Sequence, residues 1–424
     1  MLSRRDALKL MAAAPIALLL PDAEASPKKR KRSARKGWIP MGQSTGGGRS
    51  SPPYQRIWGL GSSYMVLPTA DRLTIFSRAK DMGCTWVKDN ASWANFEATQ
   101  GTLHAVRLAQ LQSAIAQAHA LGLRYYVDMN IAAPTWATGG GGAAYPTNAG
   151  DLATFSAEAG AFYEALLAEC DLDAISVGHE FSGPDAWNPD GVAGNKTPAA
   201  ACAAYKTFYD TVRPLAKAAR DRTIIASSAG DSDIGYVNNW ATTMSRLGFW
   251  PDWYCIYDYR FSGAYPYSWD VPEENTQSQT QGTVTANLAY YQALFPGLPI
   301  VITETGYVHG GTRAAGRSDV TENIHASLYC RIAAMAAAGR AQGVFFHDAI
   351  DENLAESGVM TVDYKPRQTY TSLKALLNHM PRLDWVRQSG AVWTAGGQTP
   401  SALATWNTTT DHFTFSYRGY EMTI

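Results

Sequence analysis

Two short apolar runs in this sequence each end in a carboxylate. In Pro299–Tyr307 (PIVITETGY), Ile300, Val301 and Ile302 read as a buried strand, Glu304 stands where it ends, and Gly306 lets the chain turn. Ala174–Gly183 (AISVGHEFSG) has the same form: a short apolar strand, then His179 and Glu180, then a glycine. Two carboxyl groups facing one site are what glycosidic cleavage requires. One protonates the leaving oxygen; the other attacks the anomeric carbon or activates water.

The elements that must bring these groups together follow from the rhythm of the chain. Strand candidates fall at 56–60, 85–88, 123–129, 174–179, 223–227, 253–257, 300–304 and 343–346. Between them lie helical patterns. The first has Leu73, Phe76 and Met82 near helical spacing, with Thr69 as the candidate cap. The second is carried by Leu108, Leu111, Ile115 and Ala118. Others cover about 151–169, 198–219, 236–247, 284–295 and 320–338, and Tyr370–Leu377 sits in the last. Eight strands alternating with eight helices predict an α/β fold, a (β/α)8 TIM barrel over 56–380. An open doubly wound sheet is the alternative, but no Gly-rich phosphate loop follows the first strand. Residues 381–424 differ: AVWTAGG and ATWNTTTDHFTFSYRG read as short strands with turns, a small C-terminal β appendage.

Composition limits the class. The 424 residues are 46% apolar and 17% charged, a globular balance, and the 13 Trp and 22 Tyr exceed ordinary core needs. The first 25 residues read as an export signal. Arg4 and Arg5 precede the apolar run Leu10–Leu20, too short to span a bilayer, and Ala23-Glu24-Ala25 supplies a cleavage site. The arginine pair suggests the twin-arginine route. Export implies a periplasmic or extracellular protein with no integral membrane segment once the signal is removed. Residues 26–55 form a basic, then Gly/Ser/Pro-rich linker containing KKRKRSARK at Lys28–Lys36.

The whole chain is −1 at neutral pH, residues 1–25 balance to zero and 26–36 carry +7, which leaves −8 for 37–424. That acidic body argues against nucleic-acid binding. The five cysteines are scattered without CxxC, and there is no HxH or HExxH, so neither a disulfide scaffold nor a metal site is indicated.

The order of several segments resembles clan A, the retaining glycoside hydrolases, with similarities to families 39, 5 and 26. These segments are TWVKDNASWANFEATQGTLH at 85–104, DWYCIYDY at 252–259, and GVMTVDYKPRQTYTSLKAL at 358–376. The resemblance implies Glu180 as acid/base after the fourth strand and Glu304 as nucleophile after the seventh. It also implies Tyr257 or Tyr259 as the tyrosine that hydrogen-bonds the nucleophile. Two departures bear on the sugar. His179 replaces the clan's usual Asn, as in family 26 β-mannanases. The eighth strand ends FFHDA, with His347 and Asp348 where many members have Trp.

Trp93, Trp136 and Trp187 lie in strand-to-helix loops and are candidate sugar-stacking residues; Asn90 and Asn130 are candidates for hydroxyl contacts. The resulting expectation is a secreted, cofactor-free retaining β-glycoside hydrolase whose partner is carbohydrate. A non-catalytic carbohydrate-binding protein on the same barrel is one alternative. An exopolysaccharide transglycosylase is another.

Overall fold

The computed structural model describes residues 56–130, 133–138, 152–178, 198–228, 234–259, 261–262, 268–269, 271–273, 282–310, 319–351, 357–380, 383–397 and 402–424. All lie in one compact unit, Gln55–Ile424.

Eight parallel strands close into a barrel. They are β1 (Ile57–Ser62), β2 (Trp86–Ser92), β3 (Arg124–Asn130), β4 (Ala174–Ser176), β5 (Ile224–Ser228), β6 (Trp253–Tyr257), β7 (Ile300–Thr305) and β8 (Gly343–His347). Neighbours pair in sequence order around the ring, and β8 closes on β1. The intervening helices are α1 (Thr69–Asp81), α2 (Ala105–Ala120), α3 (Leu152–Glu169), α4 (Pro198–Ala219), α5 (Ile234–Arg246), α6 (Val284–Leu294) and α7 (Glu322–Ala338). The ring ends with α8 (Gln368–His379). This is the expected (β/α)8 order. Thr69, expected as a cap, is instead the first helical residue behind Pro68, and no side chain caps that end. Thr283 and Thr321 do cap α6 and α7, accepting from Ala286 and Ile324 backbone N–H groups. The stretch after β6, read from the sequence as a long loop, contains a short antiparallel ladder of Phe261–Ser262 with Ser268–Trp269.

The barrel interior is layered. Ile57, Trp86, Tyr126, Ala174, Ala226, Trp253, Cys255, Val301 and Phe345 fill one apolar cluster. Side chains alternate along a strand, so positions two residues further on face the same interior nearer the C-terminal mouth. There the types change: Lys88 follows Trp86, Asp128 follows Tyr126, Ser176 follows Ala174, and His347 follows Phe345. A dry floor beneath a polar layer is an arrangement for chemistry at the mouth.

A five-stranded antiparallel sheet ends the chain: β9 (Trp385–Ser389), β10 (Val392–Gly396), β11 (Leu403–Asn407), β12 (Phe413–Tyr417) and β13 (Tyr420–Thr423). Its inner face stacks Trp393 on Trp406 and Trp406 on Phe413. Packing against this sheet explains why α7, rich in alanine, is buried nearly all round. Arg331 of α7 is fully buried. It donates to Glu273 at 2.9 Å and to Asp411, beyond β11, at 2.9 Å, so two carboxylates neutralise the buried cation. All five cysteines are buried thiols, and burial pushes the Cys84 thiol up to about 12. Among the described residues no helix is long and apolar enough to cross a membrane.

His325 of α7 yields a stability prediction. Its Nε2 donates to the Tyr307 carbonyl at 3.0 Å, and Nδ1 faces Thr369 Oγ1 at 2.6 Å. Burial lowers its pKa from 6.5 to about 3. The unfolded chain therefore binds a proton below 6.5 that the folded protein refuses. The site's contribution is complete above that value and is lost as pH falls, by at most about 1.4 kcal/mol per pH unit. His325→Gln keeps a donor toward Tyr307 and should show a shallower pH slope of unfolding free energy than the native protein in urea titrations between roughly pH 4 and 6.5. Equal slopes would mean that His325 is not held neutral.

Candidate active site

Glu304 stands at the mouth of the barrel through a local irregularity in β7. Ile302 pairs with Ile256 on one side and Val344 on the other. The next partners are Glu304 with Tyr257, and Thr305 with Phe346. On both sides β7 spends one more residue than its neighbour, so a bulge lies at Thr303. Strict alternation from Val301 would turn Glu304 out of the barrel, whereas the bulge resets the parity and turns it in. Gly306, expected to permit a turn, serves a different purpose. A Cβ there would lie 2.1 Å from the His347 carbonyl oxygen and 2.6 Å from Tyr329 Oη, so the absence of a side chain lets β7 and β8 close together.

The Glu304 carboxylate is 6% exposed and gripped on both oxygens. Lys88 Nζ donates to Oε1 at 2.5 Å, and Tyr259 Oη donates to Oε2 at 3.1 Å. Lys88 is 1% exposed and also pairs with Asp128 Oδ2 at 3.0 Å. Burial works against the ammonium, but Glu304 and Asp128 outweigh it and hold the Lys88 pKa above the ordinary lysine value. Asp128 is fixed in turn: Ser176 Oγ donates to its Oδ1 at 2.6 Å, and Tyr257 Oη lies 3.4 Å from its Oδ2. The choice left open between Tyr257 and Tyr259 is thereby made. Tyr259 touches Glu304; Tyr257 serves Asp128 and offers its ring to Lys88 at 5.9 Å.

His347 and Asp348 belong to the same cluster. His347 Nδ1 is 3.1 Å from Tyr259 Oη, and Nε2 is 2.5 Å from Asp348 Oδ1. Ser357 Oγ donates to Asp348 Oδ2 at 2.5 Å. Burial opposes a charged imidazole here, but Asp348 and then Glu304 outweigh it and raise the His347 pKa above its ordinary value. Asn90 shares the interior face of β2 with Lys88, one step nearer the mouth. Its Oδ1 is buried and accepts no hydrogen bond among the described residues. A buried acceptor without a donor is costly unless a ligand supplies one.

Trp93 is not the open stacking surface expected of it. It is 4% exposed, stacked on Phe162 at 5.5 Å and edge-on to Trp136 and Phe155. Its Nε1 donates to Glu97 Oε2 at 2.6 Å, and Glu97 Oε1 accepts from the Gly101 N–H. The loop after β2 thus folds its aromatic residue into the core. Trp136 is half-buried, with Nε1 donating to the Glu97 carbonyl. His179, Glu180 and Trp187 lie outside the described residues, as does the side chain of Asn130. The described part of the chain leading to Glu180 is firmly held: Tyr163 Oη donates to the Ser176 carbonyl and Tyr205 Oη to that of Val177.

Sequence reasoning missed Lys88 and Asp128. The signal was present: a lysine and an aspartate at interior positions of apolar strands, WVKDN and YYVDM, are tolerated only when paired.

No protein-family model matches the sequence, and no curated protein matches it. Solved structures do match in fold. A family 39 glycoside hydrolase from the gut symbiont Bacteroides cellulosilyticus WH2 aligns with a TM-score of 0.62 and 14% identity, over 85% of this chain and 72% of that one. A GH5_18 protein from Bifidobacterium longum subsp. infantis aligns at 0.57 and 12%, over 76% and 78%. A GH5_18 protein from Streptomyces cattleya, in complex with GlcNAc, aligns at 0.57 and 14%, over 78% and 82%. These neighbours are clan A glycoside hydrolases, and at such identities the likeness is one of fold: this chain is built on the barrel that families 39 and 5 use.

Proposed function

We propose that the protein is an exported glycoside hydrolase that cleaves β-linked sugars with retention of configuration. The observation that carries this reading is the setting of Glu304. This buried carboxylate, turned into the mouth of a glycosidase-type barrel, is held by Lys88 and by Tyr259. Both donors favour the ionised form, which is the form that attacks.

Glu304 attacks the anomeric carbon while Glu180 protonates the departing oxygen. The glycosyl-enzyme is then hydrolysed by water that Glu180 deprotonates. Esterification removes the charge of Glu304, and Asp128 keeps Lys88 paired through that step. Asn90 Oδ1 is placed to accept from a sugar hydroxyl. No step calls for a cofactor. Residues 1–25 as a signal and 26–55 as a linker complete the reading.

The test is reducing-sugar release by the purified protein across β-mannans, glucans, xylans, galactans and bacterial exopolysaccharides. NMR of the first-formed product reports its anomeric configuration. Release with retention supports the reading. Binding of a polymer without release moves the protein to the carbohydrate-binding class, and an inverted product removes the nucleophile role of Glu304. Azide should restore turnover to Glu180→Ala as a β-glycosyl azide and to Glu304→Ala as the α-anomer, which separates the two roles by product.

A further inference from the structure

At the end of β8, His347 has an oxygen partner on each ring nitrogen: Tyr259 Oη at 3.1 Å from Nδ1, and Asp348 Oδ1 at 2.5 Å from Nε2. The same Tyr259 Oη is 3.1 Å from Glu304 Oε2. The other groups around the ring come from every neighbouring strand. Lys88 of β2 supplies a cation; β1 places Gly61 against the ring, where a Cβ would stand 3.5 Å from His347 Cδ2; Tyr329 of α7 donates to the His347 carbonyl.

A tyrosine hydroxyl has one hydrogen to give, and an ionised carboxylate can only accept. If Nδ1 carries a lone pair, it competes with Glu304 for that hydrogen. If Nδ1 carries a proton, it donates to the Tyr259 oxygen and the hydroxyl hydrogen goes to Glu304. A neutral ring protonated on Nδ1 would set a bare Nε2 lone pair 2.5 Å from a carboxylate oxygen. With a hydrogen bond between Nδ1 and Tyr259 and an ion-pair contact between Nε2 and the Asp348 carboxylate, the charged ring carries protons on both nitrogens, and the proton lost on titration is the one on Nδ1.

We propose that His347 is a positioning residue for the nucleophile. As an imidazolium it donates from Nδ1 to Tyr259 and so commits the Tyr259 hydrogen to Glu304, and its deprotonation withdraws that hydrogen. The proposal rests on the glycosidase reading for the role of Glu304. Asp348, itself anchored by Ser357, keeps the charged ring in place. The direction of the His347 pKa agrees: the ring holds its proton to higher pH than an ordinary histidine.

The kinetic test uses an aryl β-glycoside whose leaving group needs no proton, so that Glu180 does not shape the alkaline limb of the glycosylation step. For the native protein, kcat/KM should fall by about tenfold as His347 loses its proton, the size expected for one hydrogen bond to a charged group. His347→Asn places an amide donor near the Nδ1 position at every pH. It should lose that limb and retain about tenfold more kcat/KM than His347→Leu at pH 6. In a Tyr259→Phe background the difference between the two His347 variants should disappear. An alkaline limb unchanged in His347→Asn, or additive effects of Tyr259→Phe and His347→Leu, would overturn the proposal.

Nitrogen NMR of the full chain with labelled histidine reads the arrangement without turnover, the His347 signal being the one absent from His347→Asn. A raised pKa that moves in Tyr259→Phe supports the arrangement, and a pKa at or below that of free histidine overturns it. If no β-glycoside is turned over, the glycosidase reading falls, and the NMR result still decides the hydrogen-bond chain.

Discussion

Glu304→Gln should lower turnover of any accepted β-glycoside by at least about a thousandfold while leaving binding within about tenfold. The amide is nearly isosteric. Its oxygen can still accept from Lys88 Nζ, now 2.5 Å from Oε1, and its nitrogen faces the oxygen of Tyr259. The fold therefore has no reason to fail. What is lost is the negative charge that makes the carboxylate oxygen a nucleophile toward the anomeric carbon, and an uncharged amide is a poor substitute. Initial rates on the hydrolysed polymer, with calorimetric binding of an oligosaccharide from it, separate the two effects. Mass spectrometry of the native protein treated with a 2-deoxy-2-fluoro glycoside should place the adduct on the peptide that contains Glu304. A loss below a hundredfold, or an adduct elsewhere, would sink the assignment.

Lys88→Met should produce the second-largest change and act on both stability and catalysis. The ammonium is 1% exposed and lies between two carboxylates, at 2.5 Å from Glu304 and 3.0 Å from Asp128. Removing it leaves two buried like charges with no cation between them, a loss of about 3–5 kcal/mol for a broken buried pair. The carboxylates respond by taking up a proton. The acid limb of kcat/KM should then move up by about one unit or more, with activity at pH 6 falling by about a hundredfold. Lys88→Arg guards against a trivial unfolding result. It keeps the charge, and it should hold the acid limb near its native position even where its larger fork lowers kcat. Denaturant titration gives the stability change, and the pH profile gives the shift. An unmoved acid limb in Lys88→Met would mean that Lys88 does not hold Glu304 ionised.

Much of the fold was legible before any coordinates. The eight strands and eight helices fall close to where apolar runs and helical spacing place them, because a parallel strand buried on both faces must read as an apolar run. The site was legible only in part. Glu304, Tyr259, His347 and Asp348 meet as the positions implied, since strand ends converge on one mouth. Trp93 did not follow, because loop position says nothing about which way a ring folds. Its indole N–H finds Glu97 four residues on, and the core closes over it. Lys88 was passed over although the second strand candidate ended on it, because that strand runs on to Ser92 and nothing local shows what the ammonium meets; Asp128 was passed over because it stands within its strand.

By itself, the sequence determined the alternation of eight strands with eight helices and the placing of Glu304 at the end of the seventh strand. These rest on local spacing and side-chain polarity, which a single chain displays. Tertiary structure alone decided which way Glu304 points. Its direction depends on the extra residue at Thr303, and that bulge exists only because β7 must stay in register with β6 and β8 at once. The pairing of Lys88 with Glu304, 216 residues apart, is of the same kind. Periodicity shows that a side chain faces inward; only closure of the ring shows what it meets there.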